Sequence, residues 1–306
     1  MSRPVQTIGI CGAGQMGAAA AVSFRRAGYP VLLWERDSER HAVIRRTLAD
    51  LDAWLDRHVG TPKGSPGSIE VMDEPGAIDR RAEVIMDAIV EVMEQKIEMF
   101  RRLATARSRG AVFLSTTSGL SITELGSGSG IGRQLIGTHF WNPPHLMPLV
   151  EVVRGAESDP EIFDRVCALV ESIGKIPVRV EKDVPGFIGN RLLHAMWREA
   201  IHLVERGIAS PEDIDLVARL TFSLRMPAVG PLENMDLVGL GLIENIHQYL
   251  PADLCNEPGP RPLLSQMTRD GTTFHDWRDR DMAKLIERRD RQIVHQLEFL
   301  KELDAT

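Results

Sequence analysis

The sequence predicts an α/β chain. An N-terminal domain over residues 1–183 is built on a doubly wound parallel sheet, and an all-α domain occupies residues 184–306. Three observations predict this. Up to about residue 183, short apolar runs suited to strands alternate with helical stretches, the order that lays a parallel sheet under helices. From Phe187 onward the strand-like runs stop, and Ile188, Leu192, Met196, Ile201 and Leu203 recur at roughly helical spacing. A length of 306 residues, at roughly 150 per domain, suits two domains with cores that need no disulfide or structural metal.

The strand candidates, in order, are Gln6 to Cys11, Val31 to Trp34, Val84 to Val90, Val112 to Ser115, Leu135 to Phe140, Leu149 to Val153 and Pro177 to Val180. Asp183-Val184-Pro185-Gly186 is the expected domain junction. Beyond it, Ser210-Pro211-Glu212-Asp213 sets a capping hydroxyl, a first-turn proline and two acids at a helix start. The Pro- and Gly-rich stretch Pro251 to Pro262 reads as a loop. Leu285, Ile286, Ile293, Leu297 and Leu300 then mark a charged, amphipathic last helix.

Composition narrows the function classes. With 43% hydrophobic and 26% charged residues, the chain is neither disordered nor collagen-like, and no apolar run reaches the roughly 18 residues of a membrane span. The 36 basic side chains against 43 acidic ones leave −7, which offers nucleic acid no basic field. Cys11, Cys167 and Cys255 make no C-x-x-C pair, so no metal site is expected. Their odd number argues against a disulfide framework and suits a reducing, cytoplasmic setting. The first dozen residues lack the charged-then-apolar layout of a signal peptide.

Gly12-Ala13-Gly14-Gln15-Met16-Gly17 comes after an apolar strand candidate and opens a helical run with Ala18 to Ala21. Gly12 permits the tight turn, Gly14 lets backbone approach a pyrophosphate, and Gly17 lets the helix pack close to the sheet. The diphosphate then meets the amides of Gln15, Met16 and Gly17 at a helix N-terminus. Such a turn alone is weak evidence, but this one sits between strand and helix, as a Rossmann-type domain requires. Glu35, twenty-three positions after Gly12, ends the second strand, where a carboxylate accepts hydrogen bonds from ribose hydroxyls and repels a 2′-phosphate. NAD is therefore the expected cofactor, with Arg36 next door as the one feature that suits NADP.

A second cluster is polar. The strand Val112 to Ser115 runs into Thr116-Thr117-Ser118-Gly119, and a later one leads into His139-Phe140-Trp141-Asn142-Pro143-Pro144. Glu151 lies inside the apolar run Leu149 to Val153, where a carboxylate is costly without a partner. His139 and Glu151 are equally distant from His145, so an antiparallel pair turning there sets them opposite each other, about 5 Å apart at Cβ. Such a pair fixes the imidazole tautomer and makes His139 a general base oriented by an acid. Alone, each residue has a plainer reading: a structural histidine, a turn serine.

At these residues the sequence resembles the NAD-dependent 3-hydroxyacyl-CoA dehydrogenase family, and the likeness runs through almost the whole chain. The matching features are the glycine turn, Ile89-Val90-Glu91 with Lys96, Ser118 inside its T-S-G-L-S-I-T-E-L run, and His139-x-x-Asn142-Pro143. They continue with the run around Glu151, Asp183 to Arg191, and Gly230-Pro231-Leu232-Glu233. The resemblance implies that His139 removes a hydroxyl proton while hydride leaves the same carbon, with Glu151 orienting it. It further implies that Ser118 and Asn190 hydrogen-bond the reacting oxygen or its neighbour, that Asn142 supports His139, and that Glu91 and Lys96 touch the cofactor near the nicotinamide ribose. It also implies a homodimer formed through the C-terminal domain.

Departures from the family pattern bear on substrate. Acyl-CoA enzymes usually carry a long, lysine-bearing helical pair after the second strand; here Ser38 to Arg80 is compact, with Lys63 as its only lysine. Val92 replaces a common Asn, and Gly271-Thr272-Thr273-Phe274-His275 is a reduced form of a late glycine-aromatic element. Arg225 stands where a small residue is usual, either gripping a substrate carboxylate or standing solvated in its loop. Trp141, His145 and Trp197-Arg198-Glu199-Ala200 resemble branches acting on small substrates: the carnitine, L-gulonate and pyridine-aldehyde dehydrogenases. Trp141 and Trp197 are candidates to flank a substrate ring, or simply pack.

The expected function is NAD-dependent oxidation of a secondary 3-hydroxyl group to a ketone, on a 3-hydroxyacyl-CoA or a small hydroxy acid. The alternatives are dehydrogenation of another small non-CoA carboxylate such as a pyridine aldehyde, and, in a different class, a catalytically silent NAD-binding protein.

Overall fold

The computed structural model describes residues 6–62, 64–278 and 281–304; Lys63 lies outside them. By its internal contacts the chain divides into two compact units, Met1–Arg191 and Leu192–Thr306.

The first unit is an eight-stranded sheet of β1 (Ile8–Cys11), β2 (Val31–Trp34), β3 (Ile69–Met72), β4 (Val84–Asp87), β5 (Val112–Ser115), β6 (Leu135–Phe140), β7 (Leu149–Arg154) and β8 (Ile176–Val180). Its strand order is β3-β2-β1-β4-β5-β6-β7-β8. Every pair is parallel except β6 with β7. The helices α1 (Gln15–Arg26), α2 (His41–His58), α3 (Gly76–Arg81), α4 (Met93–Arg101), α5 (Ala104–Ser108), α6 (Ile122–Ser129) and α7 (Pro160–Ser172) fill the connections. Because β1 lies between β2 and β4, the chain leaves β1 toward one side of the sheet and returns to the other. That arrangement opens a crevice above the carboxyl ends of the strands.

The expected strands are present; Val31–Trp34, Val112–Ser115 and Leu135–Phe140 keep their expected ends and the others shift. Strand β4, expected over Val84 to Val90, stops at Asp87: after a last ladder bond from the Ala88 amide to the Cys11 carbonyl at 2.8 Å the chain turns toward α4. Strand β3 is the element that patterning does not announce. Ile69-Glu70-Val71-Met72 forms an edge whose side chains are all at least partly exposed, so no apolar run marks it. Helix α2 seats only Ile44, Leu48 and Leu55, and it is moored to α1 by Arg25 and Arg26 on Asp52.

Residues 183–190 stay with the first unit, beyond the expected junction at Asp183. The Asp183 carboxylate accepts from Ser121 Oγ at 2.7 Å and the Thr123 amide at 2.8 Å, and the amides of Ile188 and Gly189 donate to Glu151. Helix α8 (Gly189–Glu205) begins there.

The second unit is helical throughout: the remainder of α8, then α9 (Pro211–Leu220), α10 (Phe222–Arg225), α11 (Pro231–Val238), α12 (Leu240–His247), α13 (Leu250–Asp253), α14 (Pro262–Asp270) and α15 (Met282–Asp304). Ser210 caps α9 by accepting the Asp213 amide at 3.1 Å. The expected loop over 251–262 contains the short α13, because Pro251 suits a first helical turn. The segment between α13 and α14 is pinned to α8: Cys255 and Leu263 donate their amides to Glu199 and Glu205, each at 2.7 Å, and Arg261 pairs with Glu205. Among the described residues of this unit only Cys255 and Arg261 are buried, while Leu224, Leu232 and Leu237 are each more than two-thirds exposed.

Candidate active site

The glycine turn has the shape its sequence implies. Gly12 has φ +107°, a left-handed value that suits glycine, and a side chain at Gly17 would stand 1.9 Å from the Gly12 carbonyl oxygen. At Gly14 an added Cβ would meet nothing within 4 Å. The close approach is therefore required at Gly12 and Gly17, while Gly14 faces open space at the start of α1. That helix has no side-chain cap, so the amides of its first turn are left to a ligand. The cradle fits a diphosphate. Glu35 directly follows β2 and is buried, with Oε2 paired to Arg40 at 2.9 Å and Oε1 accepting the Asp37 amide. The guanidinium beside Glu35 is thus Arg40, whereas Arg36 is exposed.

The β6–β7 pair sets His139 directly opposite Glu151, and Nδ1 of His139 lies 2.6 Å from Glu151 Oε2. Both side chains are buried. Glu151 Oε1 accepts from the amides of Ile188 at 2.9 Å and Gly189 at 3.0 Å. Burial pushes the Glu151 carboxyl up, but these three hydrogen bonds outweigh it and hold the acid below its ordinary range. The imidazole is flanked by Trp141, at 5.0 Å between ring centroids, and Phe187, at 5.8 Å. Trp141 also crosses the start of α8: a Cβ on Gly189 would stand 2.1 Å from its indole. Phe187 sits at φ +49°, a left-handed value unfavourable for a bulky side chain and held by its buried packing.

Ser118 belongs to a second cluster. Glu91 Oε1 accepts from Thr117 Oγ1 at 2.5 Å, from the Ser118 amide at 2.8 Å and from Ser118 Oγ at 3.3 Å. Asn190 Nδ2 donates to the Ser118 carbonyl at 2.9 Å, tying the start of α8 to this turn. The structure therefore brings His139, Glu151, Ser118 and Asn190 into one connected region through Glu151 and residues 188–190.

Four further candidates take these places. Asn142 Oδ1 accepts from Gln15 Nε2 at 3.0 Å, linking the β6–β7 loop to the glycine turn. Lys96 is buried, with its side chain 1% exposed, and its ammonium pairs with Asp87 and, at 3.4 Å, with Glu91. Trp197, in the second unit, stacks edge-on with His194 at 4.9 Å. Arg225, also in the second unit, is exposed at the end of α10.

Sequence reasoning passed over Asp87, although an acid inside the apolar run Val84 to Val90 carries the same signal that singled out Glu151. It also passed over the ring cluster in which Trp54 of α2 meets His58 at 4.5 Å and His145 at 5.6 Å. Trp54 and His58 are one helical turn apart on α2, but no spacing rule links His145 to them.

Comparison with known proteins agrees with this geometry. Residues 7–184 match the family described as 3-hydroxyacyl-CoA dehydrogenase, NAD binding domain, and residues 186–274 match its C-terminal domain. The chain is 31% identical over 265 residues to the 5-formyl-3-hydroxy-2-methylpyridine 4-carboxylate 5-dehydrogenase of Mesorhizobium japonicum, covering 86% of each. A crystal structure of a dehydrogenase of that name, described as an NAD+-dependent dismutase, is similar with a TM-score of 0.92 at 28% identity, over 97% of this chain and 99% of that one. The (S)-3-hydroxybutyryl-CoA dehydrogenase of Ralstonia eutropha is similar with a TM-score of 0.70 at 26% identity, over 88% and 95%. With an open diphosphate cradle, a histidine–carboxylate pair and both domains matched in order, the chain belongs to the 3-hydroxyacyl-CoA dehydrogenase family and is an NAD-dependent oxidoreductase acting on CH–OH groups.

Proposed function

We propose that the protein oxidises a hydroxyl-bearing carbon of a small carboxylate substrate rather than of a CoA thioester, with His139 as general base. The observation that carries the choice of substrate is the segment after β2. A single helix of 18 residues, α2, leads by way of a short connection to β3, where the acyl-CoA enzymes hold a long helical pair. The TM-score of 0.92 to the pyridine-carboxylate dehydrogenase against 0.70 to the hydroxybutyryl-CoA enzyme supports the same choice.

In this reading NAD, when bound, accepts the hydride. With Nδ1 held by Glu151, Nε2 of His139 takes the hydroxyl proton, and the carboxylate offsets the charge that the ring acquires. Ser118 and Asn190 hold the reacting oxygen, and Trp141 walls the imidazole. Gly12, Gly14, Gln15, Met16 and Gly17 receive the diphosphate, Glu35 the adenosine ribose, and Glu91 the ribose beside the nicotinamide. Asn142 acts by fixing Gln15, and Lys96 by fixing Glu91. Arg225 is proposed, on sequence grounds, as the contact for the substrate carboxylate.

The likeness to a dismutase supports a second reading, in which the substrate is a hydrated aldehyde and the same base takes a proton from its gem-diol. A panel of 3-hydroxybutyryl-CoA, carnitine, L-gulonate and a pyridine-carboxylate aldehyde, monitored by NADH absorbance, tests both. Turnover confined to the CoA ester, or none on any member of the panel, overturns the proposal. The exposed leucines of the second unit support a homodimer in which a second copy covers them. Three buried free cysteines, and described helices none of which is long and apolar enough to cross a membrane, support a cytoplasmic protein.

A further inference from the structure

A buried ion pair lies beneath the Ser118 turn. Asp87 ends β4 and Lys96 is in the first turns of α4; both are buried. Their contact is a close one, and Lys96 also reaches Glu91 Oε2 at 3.4 Å. Asp87 Oδ2 is buried without a hydrogen-bond partner among the described residues.

A pair like this is weak evidence for stability, because well-packed apolar side chains usually serve a core at least as well. An orphaned carboxylate oxygen makes it costlier still. The pair's effect is visible one step outward. Glu91 is half-exposed, yet it holds three groups of Thr117 and Ser118 on a single oxygen while its other oxygen meets Lys96. Without a fixed cation behind it, an acid at that depth would take up a proton or turn outward to water, and the Ser118 turn would lose its anchor.

We propose that Asp87 and Lys96 are positioning residues: the pair is a fixed footing that keeps Glu91 ionised and aimed at the Ser118 turn. The groups facing it are Lys96 from α4, Asp87 from β4, Thr117 and Ser118 from the turn after β5, and, beside Asp87, Cys11 of β1 and Ser115 of β5. Burial pushes the Glu91 carboxyl up, but the Thr117 hydroxyl, the Lys96 charge and the Ser118 amide bring it below its ordinary range. For Asp87 burial wins, even against Lys96, and its carboxyl is raised.

The catalytic side of this inference rests on the proposed role of Ser118; the footing itself does not. Lys96→Met alone strands a buried carboxylate and is expected to fold poorly. The informative variant is therefore the double Asp87→Asn, Lys96→Met in the full chain, which removes both charges at similar volume. Two measurements apply. In hydrogen exchange of the protein without substrate, residues 117–120 are expected to lose protection while β4 and β5 keep theirs. In turnover, kcat is expected to fall by about tenfold with NAD affinity changed less, and the acid limb of the kcat/KM profile to move to higher pH. Adding the double change to Glu91→Gln is expected to cost little more, since both act through one carboxylate. Unchanged exchange at 117–120 in a folded double variant overturns the footing. Changed exchange with kcat and pH profile as in the wild type overturns its role in the reaction. A wild-type chain without turnover on any substrate rejects the proposed function instead, and the exchange experiment still decides the footing.

Discussion

His139 and Glu151 face each other across the antiparallel β6–β7 pair, joined Nδ1 to Oε2 at 2.6 Å. The carboxylate and the imidazole thus come from two adjoining strands, and the backbone register sets them opposite each other.

Replacing His139 by Gln removes the base and leaves the glycine turn untouched. The expected outcome is loss of kcat by about 100-fold or more with NAD affinity retained, measured by steady-state kinetics beside calorimetric titration. Retained turnover would show the chemistry to be misassigned.

Glu151→Gln separates charge from shape. The amide oxygen can still accept from Ile188 and Gly189, but the amide nitrogen then faces Nδ1 and forces the proton onto Nε2, the atom that has to be empty. A fall in kcat of about 100-fold or more is expected, with a melting temperature close to wild type. A normal kcat would mean that the tautomer is set by something else.

The glycine turn gives two opposite outcomes for one substitution. Gly17→Ala drives a methyl into the Gly12 carbonyl, so a drop in melting temperature is expected without any ligand. Gly14→Ala finds open space, so its melting temperature should hold while NAD binding weakens. Unimpaired NAD affinity in Gly14→Ala would place the diphosphate elsewhere.

Lys175 is 7% exposed and donates from Nζ to the Met147 carbonyl at 2.7 Å, and burial pushes its amine down to about 8 from 10.5. Between those values the unfolded chain holds a proton that the folded one has released, so stability rises with pH across that window. The size is about 3 kcal/mol. Lys175→Met should therefore lack that share of the rise: urea melts at pH 7.5 and 10.5 are expected to favour the variant at the lower pH and to bring the two proteins together at the higher one. Parallel curves would mean that the amine is charged in the fold.

Leu224, Leu232 and Leu237 predict a stability that depends on concentration. If a second copy covers them, diluting the protein a hundredfold should lower its melting temperature and shift its sedimentation toward the monomer. A melting temperature indifferent to dilution speaks for a monomer.

Each feature is legible in the sequence to the extent that local chemistry determines it. The His139–Glu151 register can be read because a hairpin's centre dictates who sits opposite whom, and because a carboxylate in an apolar strand demands a counterpart. The buried position of Lys96 cannot, since a lysine on a helix ordinarily reads as solvated, and only the nearness of Asp87 across β4 and α4 makes it otherwise. The bond from Gln15 to Asn142 depends on the path of the loop 141–148, which residue spacing leaves undetermined. Strand β3 escapes for a third reason: an edge strand with no buried side chain carries no apolar signature.

Glu151 has a second oxygen, and it is occupied where the chain departs toward α8. One side chain therefore answers to two demands at once, holding the imidazole of His139 and mooring the start of α8. Any lineage that replaced Glu151 with a side chain carrying no acceptor would have to rebuild both the imidazole's orientation and the footing of residues 188 and 189 in the same step.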